Sequence, residues 1–116
     1  MVLMQLQLQA TKEAPRISRA HLQDLEEELK PRNEDVALVI SELVSNSVRH
    51  SSGPEVEVTI ELSADSIRIE VKDNGPCFSS DVDRADGLGL KIVEKLSNAW
   101  GVDGSDGCTV WAELAR

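Results

Sequence analysis

The sequence predicts an α+β protein, a two-layer α/β sandwich in which helices cover one face of a mixed β-sheet. Two observations support this prediction: the order of the elements and the length of the chain. A strand, two helices, two strands, a polar loop, a third helix and two strands follow one another, and such runs favour separate layers over a doubly wound sheet. The 116 residues fit a single domain, residues 1–116, with one modest core.

The first half of the chain shows one strand pattern and two helix patterns. Apolar and polar side chains alternate over residues 6–10, which predicts a half-buried first strand. Pro15 suits the first turn of a helix, and apolar residues recur at helical spacing over residues 15–29. The longest helical pattern follows over residues 33–51.

The second half contains four strand patterns and one helix pattern. Strands are predicted over residues 56–62, 67–73, 99–102 and 108–114, and a helix over residues 88–98. The first two of these strands should form an antiparallel hairpin, because only a short polar connection separates them. The polar residues 76–86 predict a loop that could act as a lid.

Composition narrows the classes of function. The net charge of −9 argues against nucleic-acid binding, which needs clustered Lys and Arg on the protein surface. No run approaches the ~20 apolar residues of a membrane helix and the N-terminus has no apolar signal core, so we expect a cytoplasmic protein without a membrane partner. Cys77 and Cys108 lack metal-ligand spacing, and we expect both to be free thiols.

Three polar side chains form a stripe on the second predicted helix. Glu42, Asn46 and Arg49 are spaced i, i+4 and i+7, which places them on one side of the helix beside its apolar face. A carboxylate can deprotonate an attacking hydroxyl, and an amide oxygen can bind Mg²⁺. A solvated flank, with Glu42 and Arg49 paired through water, explains the same stripe.

The end of the second hairpin strand carries a carboxylate on the core-facing side. Asp73 shares its parity with Ile69 and Val71, so it should point inward. A buried carboxylate needs hydrogen-bond donors, such as the amino group of adenine, and Gly75 would leave room for a flat ring. Capping of the Asn74-Gly75 turn would also explain an Asp here.

A glycine-rich turn precedes the third predicted helix. Residues 86–90 read DGLGL, and glycines before a helix allow several backbone N–H groups to converge on a phosphate. An acidic chain needs such local attraction, or a metal ion, to bind a polyanion. The same glycines can also serve only to make a turn.

These three segments together resemble the GHKL superfamily of gyrase-type, heat-shock chaperone, histidine-kinase and MutL ATPases, which share the Bergerat ATP-binding fold. Residues 42–50 (ELVSNSVRH) resemble its asparagine box, residues 73–75 (DNG) its first glycine box and residues 87–90 (GLGL) its second. The segments occur in the family's order, and the resemblance covers almost the whole chain.

The resemblance implies a role for each site residue and implies ATP and Mg²⁺ as the bound groups. Asp73 would accept a hydrogen bond from the adenine amino group, and Gly75 would lie close to the ring. Asn46 would bind Mg²⁺, Glu42 would be the general base, and Arg49 would be a cation on the phosphate side or a structural one. The second glycine box would lie close to the phosphates; its residues are Gly87, Leu88, Gly89 and Leu90.

Within the superfamily the chain is most similar to the anti-sigma-factor serine/threonine kinases of bacterial partner-switching systems. Residues 42–51, 76–86, 100–102 and 109–114 carry this similarity. It implies a kinase that phosphorylates an anti-sigma-factor antagonist and, in another state, sequesters a sigma factor. The first strand as a sheet edge would also allow a homodimer.

The chain departs from the family pattern at two places. Residues 75–77 (GPC) lack the second glycine of the first glycine box, which affects the expected hinge of the lid. Cys108 shares the parity of Val110 and faces the pocket at a position where relatives often place a hydroxyl, whereas Thr109 faces away.

Two other functions stay open. The first is the catalytic ATP-binding domain of a histidine kinase cut from a longer sensor. A complete strand near residue 1, no upstream dimerisation helix and the short lid argue against it. The second is a module that binds nucleotide without catalysis and switches partners according to whether its nucleotide site is occupied. The presence of Glu42 favours catalysis over this alternative.

Overall fold

The computed structural model describes residues 1–50, 53–74 and 88–116 and follows the predicted order of elements. The strands are β1 (Val2–Gln9), β2 (Glu55–Leu62), β3 (Ser66–Asp73), β4 (Ala99–Asp103) and β5 (Cys108–Ala115). The helices are α1 (Ala14–His21), α2 (Glu26–Leu29), α3 (Asn33–His50) and α4 (Leu88–Leu96), with a 3-10 turn, Leu22–Leu25, between α1 and α2. The predicted loop over residues 76–86 lies outside the described residues.

The five strands form one sheet in the order β1-β2-β3-β5-β4, and every pairing is antiparallel. The prediction of a mixed sheet is therefore wrong in this detail. Both β3 and β4 run antiparallel to β5, so β3 and β4 are parallel to each other. The crossover through α4 thus does connect two parallel strands, but β5 lies between them and no parallel pair forms.

The helices cover one face of the sheet, as predicted. Side chains of β3 and β5 alternate strictly between buried and half-buried, and α3 contacts β2, β3 and β5. Branched aliphatic residues of α3 and the strands fill the space between the layers: Val36, Ile40, Leu43, Val44, Val58, Ile60, Ile69, Val71 and Leu114. This packing orients α3 over the end of β3.

The first helical segment differs from the prediction. It does not run unbroken over residues 15–29 but is divided by the 3-10 turn. Where α1 lies against α3, it buries the small residues Ala14 and Ser18, whereas Ile17 stays partly exposed. None of the helices in the described ranges combines the length and the apolar character that a membrane span requires.

Candidate functional site

The C-terminal half of α3 meets the end of β3 through a buried side-chain hydrogen bond. The Ser47 hydroxyl donates to Asp73 Oδ2 over 2.9 Å. Asp73 is 6% exposed, so the prediction that its carboxylate faces the core is confirmed. The alternation along β3 and the packing of α3 against this strand place the Asp73 carboxylate at the edge of an apolar core.

Asn46 precedes Ser47 and is 1% exposed. Neither its Oδ1 nor its Nδ2 has a hydrogen-bond partner within the part of the chain that the structure describes. An unsatisfied buried polar group costs about 1–3 kcal/mol, so two such atoms in one side chain call for an explanation outside folding. A bound group that satisfies the amide would supply it.

Asn46 fits a role as a magnesium ligand, because Mg²⁺ prefers oxygen donors and retains several ligands from water or phosphate. Among residues 1–50, 53–74 and 88–116, no cluster of three His, Cys, Asp or Glu side chains offers an alternative metal site. One amide oxygen would suit an ion held mainly by phosphates and water.

The other two members of the α3 stripe are more accessible than Asn46. Glu42 is half-buried and lies one turn before Asn46, about 6 Å along the helix axis. Arg49 is exposed near the helix end. A purely solvated flank is therefore wrong for Asn46, while the roles of Glu42 and Arg49 in the site stay predictions.

The glycine-rich segments lie only partly within the described residues. Gly75 and Gly87 lie outside them. The helix predicted after the second glycine box is present, and α4 begins at Leu88 and includes Gly89 in its first turn. Leu90 is 2% exposed, and α4 contacts α3, the helix that carries Asn46.

Two residues that lie close to Asp73, at the end of β3, were not identified from the sequence as site residues. Helical spacing puts Ser47 on the apolar side of α3, and nothing in the pattern reveals its bond to Asp73. Gly107 has φ +72°, and a Cβ added there would lie 2.4 Å from the Asp73 carbonyl oxygen. The dipeptide Asp106-Gly107 indicates a turn, but only the sheet register shows that this turn meets Asp73.

Cys108 corrects one expectation and confirms another. It is disulfide-bonded, so the expectation of a free thiol is wrong for this residue; Cys77 lies outside the described residues. Its position on the buried side of β5, directly opposite Asp73, agrees with the predicted parity. Thr109 is on the other face, as expected.

The chain belongs to the family of histidine kinase-, DNA gyrase B-, and HSP90-like ATPases, whose sequence pattern matches residues 32–116. This match includes α3, β3 and α4, the three elements that build the site. The family is one of ATPases, and the buried Asn46 and Asp73 belong to the matched part. The comparison with curated proteins found no match.

Solved structures resemble the fold over nearly the whole chain. A crystal structure of the RsbU and RsbW domains of Rv1364c from Mycobacterium tuberculosis has a TM-score of 0.71 and 25% identity, covering 97% of this chain and 33% of that one. The histidine kinase AdeS of Acinetobacter baumannii has a TM-score of 0.59 and 15% identity, covering 99% of this chain and 68% of that one. The chain thus spans about a third of the Rv1364c structure.

Proposed function

We propose that the chain is a cytoplasmic, ATP-dependent protein serine/threonine kinase of the anti-sigma-factor type. It phosphorylates an anti-sigma-factor antagonist and, in another state, sequesters a sigma factor. The family match and the likeness to a structure that contains an RsbW domain support this proposal. The observation that carries it is the buried amide of Asn46, which has no partner among the described residues and immediately precedes Ser47, the residue bonded to the buried Asp73.

Nucleotide recognition in this proposal depends on Asp73 and Gly75. An ionised carboxylate has about four lone-pair sites, so Asp73, which accepts from Ser47, would accept a further hydrogen bond from the adenine amino group. Gly75 would allow the ring to approach the backbone. The apolar core beneath Asp73 excludes water and strengthens this contact.

The phosphate end of ATP would lie between α3 and α4. Asn46 Oδ1 would hold Mg²⁺, and that ion supplies charge neutralisation at the phosphates. The backbone N–H groups at the start of α4 would donate to phosphate oxygens, with Arg49 as a further cation. The residues proposed at the helix start are Gly87, Leu88, Gly89 and Leu90.

Glu42 would act on the hydroxyl of the protein substrate. Its half-buried side chain precedes Asn46 by one turn, so a carboxylate oxygen can approach a group that attacks the terminal phosphate. The carboxylate accepts the hydroxyl proton as the oxygen forms its bond to phosphorus and the bond to the leaving ADP breaks. A serine or threonine hydroxyl needs such a base, whereas a neutral imidazole already has a lone pair.

The proposal includes a homodimer, because β1 forms one edge of the sheet and its outer backbone groups could pair with a second copy. A histidine-kinase catalytic domain is the second candidate function. The family match, which includes histidine kinases, favours it, whereas the likeness to AdeS at 15% identity supports the fold alone. A nucleotide-binding module without catalysis is the third.

The stability of the phosphorylated product separates these functions. The chain is incubated with labelled ATP, Mg²⁺ and the small proteins encoded beside it, and the products are treated with acid or alkali. We expect acid-resistant label on a partner, because phosphoserine and phosphothreonine are esters. The matched variant Glu42→Gln should bind ATP normally but transfer phosphate about 10²–10⁴-fold more slowly.

Two results would contradict the kinase proposal. Acid-labile label that appears only with a histidine-bearing helical hairpin would identify a sensor-kinase domain. Normal ATP binding with no transfer to any partner, in wild type and Glu42→Gln alike, would identify a non-catalytic module.

A further inference from the structure

The hydroxyl of Ser47 makes an unusual hydrogen bond for a serine inside a helix. Such hydroxyls commonly donate to the carbonyl four residues earlier in the same helix. Ser18 does so, donating to the Ala14 carbonyl over 2.9 Å, and Ser41 donates to the Ala37 carbonyl over 2.7 Å. Ser47 instead donates across the layers to Asp73, 26 residues away in sequence.

We infer that Ser47 is a positioning residue that orients the Asp73 carboxylate to select a purine with an amino group over one with a carbonyl. This inference rests on the proposed binding of ATP and on Asp73 as the residue that contacts adenine. Ser47 would act through Asp73 and need not touch the nucleotide.

The orientation of a carboxylate is not set by its own torsion, because the terminal torsion of Asp is broad and roughly two-fold. The backbone of Asp73 is held by its ladder with β5 and by the close approach of Gly107. Neither contact fixes the rotation of the carboxylate plane. The Ser47 hydroxyl restricts this rotation, because it donates to Oδ2 over 2.9 Å inside the core.

The residue opposite Asp73 on β5 cannot provide this hydroxyl. Cys108 is the Cα partner of Asp73 in the ladder and is disulfide-bonded. Thr109, which follows it, faces the other side of the sheet. The hydroxyl therefore comes from the helical layer, where Ser47 is 1% exposed and so held in place by its surroundings.

A fixed, ionised carboxylate discriminates between purines by its hydrogen-bonding character. It can only accept, so it accepts from the amino group of adenine and repels the carbonyl oxygen of hypoxanthine. A carboxylate free to rotate loses part of this preference, because it can turn away from the carbonyl and is less well aligned with the amino group.

The test compares ATP with inosine triphosphate, which has a carbonyl in place of the adenine amino group, by titration calorimetry. Wild type should prefer ATP. Ser47→Ala should reduce the ratio of the two affinities about tenfold, mainly through weaker ATP binding. Ser18→Ala is the matched control, because it removes a buried hydroxyl bonded to the backbone and should leave the ratio unchanged. The ratio does not depend on how much of a preparation is folded.

A second comparison asks whether Ser47 acts through Asp73. In an Asp73→Asn background, Ser47→Ala should change the ratio little, because the carboxylate it orients is absent. An unchanged ratio in Ser47→Ala, or equal weakening of both nucleotides, would overturn the inference while leaving ATP binding intact. Wild type that binds neither nucleotide would overturn the proposed function together with this inference.

Discussion

Polar side chains on the two faces of β3 differ in their burial and in their hydrogen bonding. On the face away from the helices, Arg68 donates from Nε to Glu70 over 2.6 Å and from Nη1 to Glu113 over 3.1 Å. Its guanidinium carbon lies 4.4 Å from the centroid of the Trp111 ring. Burial alone would lower the pKa of Arg68, but the hydrogen bonds to the two glutamates raise it.

On the face toward the helices, polar groups are fewer and more deeply buried. Asp73 accepts from Ser47, while both amide atoms of Asn46 have no partner in the described part of the chain. Paired charges on a half-exposed surface are explained by folding alone. Unpaired polar atoms in a core are not, so the difference indicates which face the protein keeps for a ligand.

The largest expected effect comes from the unpaired amide. Asn46→Ala should weaken Mg-ATP binding about 10–100-fold, because the ion loses a protein oxygen. The free energy of unfolding without nucleotide should stay constant or rise, since the variant removes two unsatisfied buried atoms. Calorimetry with and without Mg²⁺, and urea unfolding of the ligand-free chain, measure the two quantities.

Val44→Ala provides the control for this prediction. Val44 is fully buried in the same helix, and its truncation should lower the free energy of unfolding by about 1–2 kcal/mol without changing the dependence of ATP affinity on Mg²⁺. If Asn46→Ala behaved like Val44→Ala in both measurements, Asn46 would be an ordinary core residue.

The sequence predicted those parts of this comparison that depend on local periodicity. Alternation along β3 placed Asp73 inward, and helical spacing placed Asn46 beside the apolar face of α3. The pattern could not show that Asn46 is completely buried, because burial depends on how far α4 and the sheet extend over the helix. The pairing of Arg68 with Glu113 likewise requires the register between β3 and β5.

The strand order of the sheet likewise could not be predicted from local patterns. The hairpins followed from short connections, but the position of β5 between β3 and β4 is a property of the whole sheet. The mixed-sheet prediction failed for this reason. For the same reason the sequence did not reveal that Gly107 lies close to Asp73. This approach exists only because β5 is the neighbour of β3.

Gly107→Ala should have the second largest effect. Alanine at φ +72° is strained, and its Cβ would lie 2.4 Å from the Asp73 carbonyl oxygen, so the turn or the end of β3 must shift. We expect a loss of about 2 kcal/mol in the free energy of unfolding and a several-fold weaker affinity for ATP. Urea unfolding and calorimetry measure these losses.

Gly104→Ala is the matched substitution in the same β4–β5 turn, where the backbone has no positive φ and an added Cβ meets no close atom of the described residues. It should leave both quantities nearly unchanged. Equal effects of the two substitutions would mean that the turn as a whole, and not its contact with Asp73, determines the result.

The smallest effect should come from the paired face. Arg68→Ala removes two ion pairs and the contact with Trp111, and it should lower the free energy of unfolding by about 1 kcal/mol, because partly exposed pairs contribute little. Part of this loss should disappear at high salt, where the charges are screened.

Lys72→Ala is the control on the same strand and face. Its ion pair with Asp106 is more exposed, so this variant should lower the free energy of unfolding by less than Arg68→Ala does. ATP affinity should not change in either variant, because both side chains point away from Asn46 and Ser47. An Arg68→Ala variant of normal stability that bound ATP more weakly would show that the two faces of β3 are coupled, and the paired face could then no longer be treated as scaffold alone.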